Sequence, residues 1–229
     1  MPNALIVGAS RGIGLGLARE LASRGWTLTA TVRYAVAAEL TKMVETSDGK
    51  VRLEHVDTAD PASGEALRGR LGEEVFDLIV VNAGVGGPPG KNPRTVSRDE
   101  FADLMVVNAL GPVRLAEMLA KQVRPQSGVV AFMTSQLGSV ANNTTGGTEL
   151  YRASKAALNS LVRSFAARHK DKGLAILALH PGWVRTDMGG PNADIDVETS
   201  ARGLAEVVER ARRDRRDGFF DYKGDELPW

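Results

Sequence analysis

Tyr151 and Lys155 stand four residues apart in Tyr151-Arg152-Ala153-Ser154-Lys155-Ala156-Ala157-Leu158. This is a helix-forming stretch, and the spacing puts phenol and ammonium on one helix face. A phenol with an unperturbed pKa of about 10 is a poor acid or base near neutrality, but a fixed cation beside it favours the ionised form and lowers that pKa. The spacing therefore predicts a tuned proton-transfer pair. An aromatic on the core edge beside a solvated lysine has the same spacing, so the pair gains meaning from the elements that position it.

The N-terminus supplies the first of those elements. Ala4-Leu5-Ile6-Val7 is a short apolar run that breaks at Gly8; Ala9-Ser10-Arg11-Gly12-Ile13-Gly14 follows, then the helical pattern Leu15, Leu17, Ala18, Leu21, Ala22. This reads as strand, glycine turn, helix. Glycines allow a tight turn and close approach to a pyrophosphate, whose charge the helix N-terminus attracts. The glycine spacing differs from the G-x-G-x-x-G dinucleotide fingerprint.

Strand-like and helix-like segments then alternate: strand 28–32, helix 35–46, strand 51–56, helix 61–71, strand 76–81, one long helix over 101–122, strand 129–134, the Tyr151 helix, strand 174–179, helix 200–213 and strand 218–222. Apolar strands separated by helices predict an α/β fold: a single-domain, Rossmann-type, doubly wound parallel sheet of about seven strands over residues 1–229, with helices on both faces. Ligands of such sheets bind outside the carboxyl ends of the strands. The residues expected there are Asn82-Ala83-Gly84 after the fourth strand, Ser135 after the fifth and Pro181-Gly182 after the sixth.

Composition agrees. A chain of 229 residues with 43% hydrophobic content can bury one substantial core. A net charge of +1 suggests neither a nucleic-acid nor a membrane partner, and the absence of cysteine excludes a disulfide framework or a thiolate metal site. His55, His169 and His180 show no ligand spacing, so no metal is expected. The first strand starts too near Met1 for a signal peptide, and no apolar run is long enough to span a bilayer, so a soluble, cytoplasmic protein is expected. The charge run Arg210 to Arg216 reads as a solvated helix end.

On Gly8-Ala9-Ser10-Arg11-Gly12-Ile13-Gly14, Val56-Asp57, Asn82-Ala83-Gly84, Asn108, Ser135, Tyr151 to Lys155 and Pro181-Gly182, in order and at nearly the family's intervals, the sequence resembles the short-chain dehydrogenase/reductase family. Leu179 to Gly190 (LHPGWVRTDMGG) and Phe219 to Gly224 (FFDYKG) make it similar to the C-factor and sniffer-like carbonyl reductase branch. The resemblance implies that Tyr151 donates the proton to a substrate carbonyl as hydride arrives from a nicotinamide. It implies that Ser135 orients the carbonyl, that Lys155 binds the nicotinamide ribose and lowers the Tyr151 pKa, and that Asn108 holds a water joining Lys155 to solvent. Asp57 would accept from the adenine amino group, with Thr58 beside it, and Thr186 would contact the carboxamide. Gly8, Ser10, Arg11, Gly12, Ile13, Gly14, Asn82, Ala83, Gly84, Pro181, Gly182 and Val184 complete the cofactor-binding set. The partner would be a small carbonyl or alcohol, a small or medium aldehyde or ketone by likeness to the branch, with a steroid or quinone left open; a homo-oligomer is also left open.

Two choices need argument. Spacing from the tyrosine favours Ser139 as the family serine, but Ser135 directly ends the apolar strand and begins Ser-Gln-Leu-Gly, so Ser135 is expected to face the carbonyl, with the extra residues absorbed in the polar loop 142–147. Where an NAD enzyme of this fold carries a carboxylate at the end of strand two, this chain has Val32 followed by Arg33. Arg33 and Arg11 offer guanidinium groups to a 2′-phosphate, so NADP(H) is expected over NAD(H), which is not excluded. Two other classes compete with this reading: a C-factor-like signalling protein with a dinucleotide site and little turnover, and a serine hydrolase, which the lack of a G-x-S-x-G elbow around Ser135 or Ser139 disfavours.

Overall fold

The structure, a computed structural model, describes all 229 residues. The strands are β1 (Asn3–Val7), β2 (Thr27–Val32), β3 (Val51–His55), β4 (Leu78–Val81), β5 (Val129–Met133), β6 (Ala175–His180) and β7 (Gly218–Asp221). The helices are α1 (Gly12–Ser23), α2 (Ala38–Thr46), α3 (Pro61–Leu71), α4 (Arg98–Met105), α5 (Gly111–Leu119), α6 (Glu149–Arg168) and α7 (Val197–Asp214). All seven strands pair in parallel in the order β3-β2-β1-β4-β5-β6-β7. The order reverses between β1 and β4, which opens the crevice at their carboxyl ends.

Alternate strand residues feed two cores. Ile6, Leu78, Ala131 and Leu177 pack beneath α1, α2 and α7, while Leu5, Ile79, Phe132 and Ala178 pack beneath α3, α5 and α6. Helix starts follow local chemistry: Asp60 accepts from Ala62 N at 2.9 Å ahead of Pro61, Ser97 and Glu100 form a reciprocal capping box on α4, and Asp196 accepts from Thr199 N at 2.8 Å.

The expected long helix over 101–122 is instead α4, a π-helical turn over Val106–Leu110 and α5. Two backbone contacts impose the break. The Asn108 amide leaves the helix face to bond Val85, and a Cβ on Gly111 would overlap the Thr58 carbonyl oxygen. Helix α2 begins at Ala38 rather than 35, and Phe76 makes only an isolated bridge to Val123 before β4 starts at Leu78.

Candidate active site

The glycine turn between β1 and α1 is shaped by close backbone approach. Gly8 has φ +89° and a Cβ there would lie 3.0 Å from Ala83 N. A Cβ on Gly14 would overlap the Gly8 carbonyl oxygen and come within 2.7 Å of Asn82 Nδ2, the group that donates to that same oxygen at 2.8 Å. Asn82, beyond β4, thus holds the turn shut from the neighbouring strand. Helix α1 has no side-chain cap and no acidic residue in its first turn. Its first N–H groups and positive end are therefore left to an external anion, which fits a dinucleotide pyrophosphate.

Opposite this turn, Thr186 Cγ2 would lie 3.3 Å from a Cβ on Gly12. The strand-like pairing of Val184 with Ile195, and bonds from Gly189 N and Gly190 N to Thr186 Oγ1 and O, order the segment that carries Thr186. Gly182 (φ +85°) has no room for a side chain beside Ile195 and Tyr222, and Val184 is buried. His180, just before Pro181, is buried and its imidazole is pushed down to about 4 by desolvation, so it is neutral at physiological pH.

The residues expected near the adenosine separate into bound and free groups. Val32 is buried, whereas Arg33 is exposed, makes no ion pair and lies over the Tyr34 ring at 4.9 Å. Arg11 Nη1 instead bonds Asp187 Oδ2 at 2.6 Å, joining the glycine turn to the Thr186 segment. Asp57 Oδ1 accepts from Ala59 N at 2.9 Å, shaping the turn toward α3, whose cap is Asp60. Thr58 is buried against Gly111.

The residues expected to move protons gather at the carboxyl end of β5. Ser135 caps the turn Gln136–Gly138, its Oγ accepting from Leu137 N at 3.1 Å. Lys155 is 3% exposed and donates to the Met133 carbonyl at 3.0 Å, with Nζ 5.8 Å from the Tyr151 ring centroid. Burial pulls its pKa down to about 8. Burial also pushes the Tyr151 phenol up to about 12, and its interaction with the Ser135 hydroxyl pulls it only partly back. The phenol is thus raised rather than lowered, against the expectation from the Lys155 spacing. The ammonium is itself desolvated and committed to a backbone carbonyl, so it does not offset the loss of water around the phenol.

Asn108 is fully buried and serves as a clamp. Its Oδ1 accepts from Val85 N at 2.8 Å, and its Nδ2 donates to Val85 O at 2.8 Å and to Ser154 Oγ at 3.0 Å; Ser154 in turn donates to Tyr151 O at 2.8 Å. Asn108 Oδ1 and Lys155 Nζ both lie 3.3 Å from where a Gly84 Cβ would stand, so only glycine leaves that shared face clear. Ser139 is 1% exposed and faces elsewhere, donating to Trp229 O at 3.3 Å. Sequence reasoning missed Ser154, Met133 and Asp187: a serine inside a helix, a backbone carbonyl and a partner 176 residues from Arg11 carry no local signal.

The doubly wound sheet thus carries an anion-receptive glycine turn at one end of its cleft and Ser135, half-buried Tyr151 and Lys155 at the other. A profile described as short chain dehydrogenase matches residues 2–195, and the chain belongs to that family of oxidoreductases. It is 41% identical over 158 residues to the C-signal protein of Myxococcus xanthus, covering 67% of this chain and 92% of that one. It is similar to a carbonyl reductase from Pseudomonas aeruginosa in complex with NADP, with 42% identity, a TM-score of 0.92 and full coverage of both chains. The carbonyl reductase Sniffer of D. melanogaster is also similar, with 28% identity, a TM-score of 0.91 and full coverage of both chains. No helix is long and apolar enough to cross a membrane.

Proposed function

We propose that the protein is an NADP(H)-dependent carbonyl reductase in which Tyr151 is the general acid. The observation that carries this reading is the meeting of Ser135, Tyr151 and Lys155 at the end of β5, where the Ser135 hydroxyl interacts with the Tyr151 phenol and Lys155 lies beneath it. A bound nicotinamide supplies the hydride. The Tyr151 phenol gives its proton to the carbonyl oxygen, and the Ser135 hydroxyl donates a hydrogen bond that orients that oxygen and stabilises its growing charge. Lys155, with a pKa near neutrality, can return a proton toward the phenolate. Asn108 fixes Val85 and Ser154, and through Ser154 the helix turn that carries Tyr151.

For the cofactor, Arg33 is the free guanidinium at the end of β2, so a 2′-phosphate is favoured there over a bare ribose. Arg11 joins it only by leaving Asp187. The likeness to an NADP-bound carbonyl reductase supports the same choice. The apolar side chains of Val85, Trp183 and Met188 are exposed on the loops beyond β4 and β6, which suits a small or medium apolar aldehyde or ketone. The C-signal likeness favours a second reading, a signalling protein that binds the dinucleotide without turnover; the complete Ser-Tyr-Lys group argues for chemistry. Purified protein with NADPH and a panel of aldehydes and ketones separates the two. Consumption of NADPH with at least one carbonyl is expected, and tight NADPH binding with no consumption across the panel would favour signalling.

A further inference from the structure

Ser139 and Trp229 form a contact that the proton-transfer chemistry does not use. The main-chain oxygen of Trp229 accepts from Val140 N at 3.0 Å, Ala141 N at 3.4 Å and Ser139 Oγ at 3.3 Å, and Ser139 Oγ also accepts from Asn142 N at 3.1 Å. No other hydrogen bond ties residues 139–145 to a distant part of the chain. Trp229 is itself well anchored. Its ring lies 5.5 Å from that of Phe219, the Arg163 guanidinium lies over it at 5.5 Å, and Leu227 N donates to Phe219 O at 2.8 Å.

The tether at Ser139 is four residues from Ser135 and reaches it through bonds. Ser139 N donates to Gln136 O at 3.0 Å, Gly138 N to Ser135 O at 2.8 Å, and Leu137 N to Ser135 Oγ at 3.1 Å. On its other side the turn is pressed on α6, since a Cβ on Gly138 would lie 2.8 Å from the Lys155 carbonyl carbon. The Ser135 turn is therefore held between the backbone of Lys155 and Trp229. A short turn followed by a polar, glycine-containing loop has little stiffness of its own, so an outside clamp sets where its first hydroxyl points.

We infer that Trp229, acting through Ser139, is a positioning residue that aims the Ser135 hydroxyl at the substrate carbonyl. The inference rests on the reductase reading above and adds to it a dependence of turnover on the last β7-flanking segment. Removing the clamp should displace Ser135 without touching the glycine turn, so kcat should fall while NADPH affinity holds.

The test compares Trp229→Ala, Trp229→Phe and Ser139→Ala with the wild type, reading kcat and KM for a carbonyl that the wild type reduces, together with NADPH Kd and melting temperature. Trp229→Ala should lower kcat by roughly tenfold, the scale of a small misplacement of a catalytic group, and Ser139→Ala, which leaves the Val140 N and Ala141 N bonds to Trp229 in place, by a smaller factor, with NADPH Kd unchanged in both. Trp229→Phe, unlike Trp229→Ala, keeps an aromatic ring against Phe219 and Arg163 and should retain most of kcat. A lowered melting temperature with wild-type kcat would make the contact merely structural and overturn the inference. If Trp229→Ala does not fold, Ser139→Ala decides alone. A wild type that reduces no carbonyl would overturn the functional reading first, and this inference with it.

Discussion

At the β1 end of the cleft the groups presented to a ligand are backbone: the N–H groups of an uncapped α1 and a turn made tight by Gly8 and Gly14. At the β5 end they are side chains, Ser135, Tyr151 and Lys155, of which Lys155 is buried to within 3%. The first end gains its fit from missing Cβ atoms and needs no ionised group. The second holds ionisable groups where water is scarce, which shifts Tyr151 up and Lys155 down. On the proposed reading, binding and chemistry are thus built from opposite materials, and substitutions at the two ends should fail in opposite ways.

The largest effect is expected at the backbone end. In Gly14→Ala the new Cβ would overlap the Gly8 carbonyl, so the turn must open or the fold must yield, at a cost above about 4 kcal/mol in the range that marks severe core strain. Gly25→Ala is the control: it has φ +82° but nothing within 4 Å, so only backbone strain of about 1 to 2 kcal/mol applies. Chemical denaturation with and without NADPH measures both, and equal losses would break the comparison.

At the chemical end the sign reverses, because burying Lys155 destabilises the protein. Its native pKa of about 8 lies below the usual 10.5. The native state therefore carries a penalty that is complete below about pH 8 and fades as pH rises toward 10.5, where the unfolded chain also loses the proton. Such a shift corresponds to roughly 3 kcal/mol, less about 1 for the bond to Met133 O. Lys155→Met should accordingly raise cofactor-free stability near pH 7 by about 2 kcal/mol while damaging both turnover and NADPH affinity. Urea melts at pH 7 and pH 10 test this, with the advantage of the variant shrinking at the higher pH. A variant less stable at pH 7 would contradict the burial argument.

The smallest expected effect separates the two cofactors. NADPH should bind at least about tenfold more tightly than NADH, about 1.4 kcal/mol, and Arg33→Ala should remove much of that difference. Titration of each cofactor into both proteins measures it, and equal wild-type affinities would shift the assignment away from the end of β2.

Much of this was readable in the sequence, for a physical reason. Fully buried parallel strands are continuous apolar runs, so β1, β4 and β5 stand out, and a turn that must approach a neighbour closely is forced to glycine at Gly8 and Gly14. The π turn at Val106–Leu110 was hidden because the helical apolar pattern runs through it; only the distant Val85 backbone shows why Asn108 leaves the ladder. The Lys155 spacing points to a lowered Tyr151 pKa, whereas burial raises it, since spacing reports proximity and burial decides the balance. The Arg11–Asp187 pair and the Ser139–Trp229 contact join residues 176 and 90 apart, and nothing local announces them.

The central claim is that Tyr151 supplies the proton and contributes little to cofactor binding. Tyr151→Phe isolates it, because the ring stays in place and only the hydroxyl is lost. Turnover of a carbonyl that the wild type reduces should fall by about a hundredfold or more, with NADPH Kd nearly unchanged. Near-normal turnover in the variant would contradict the account.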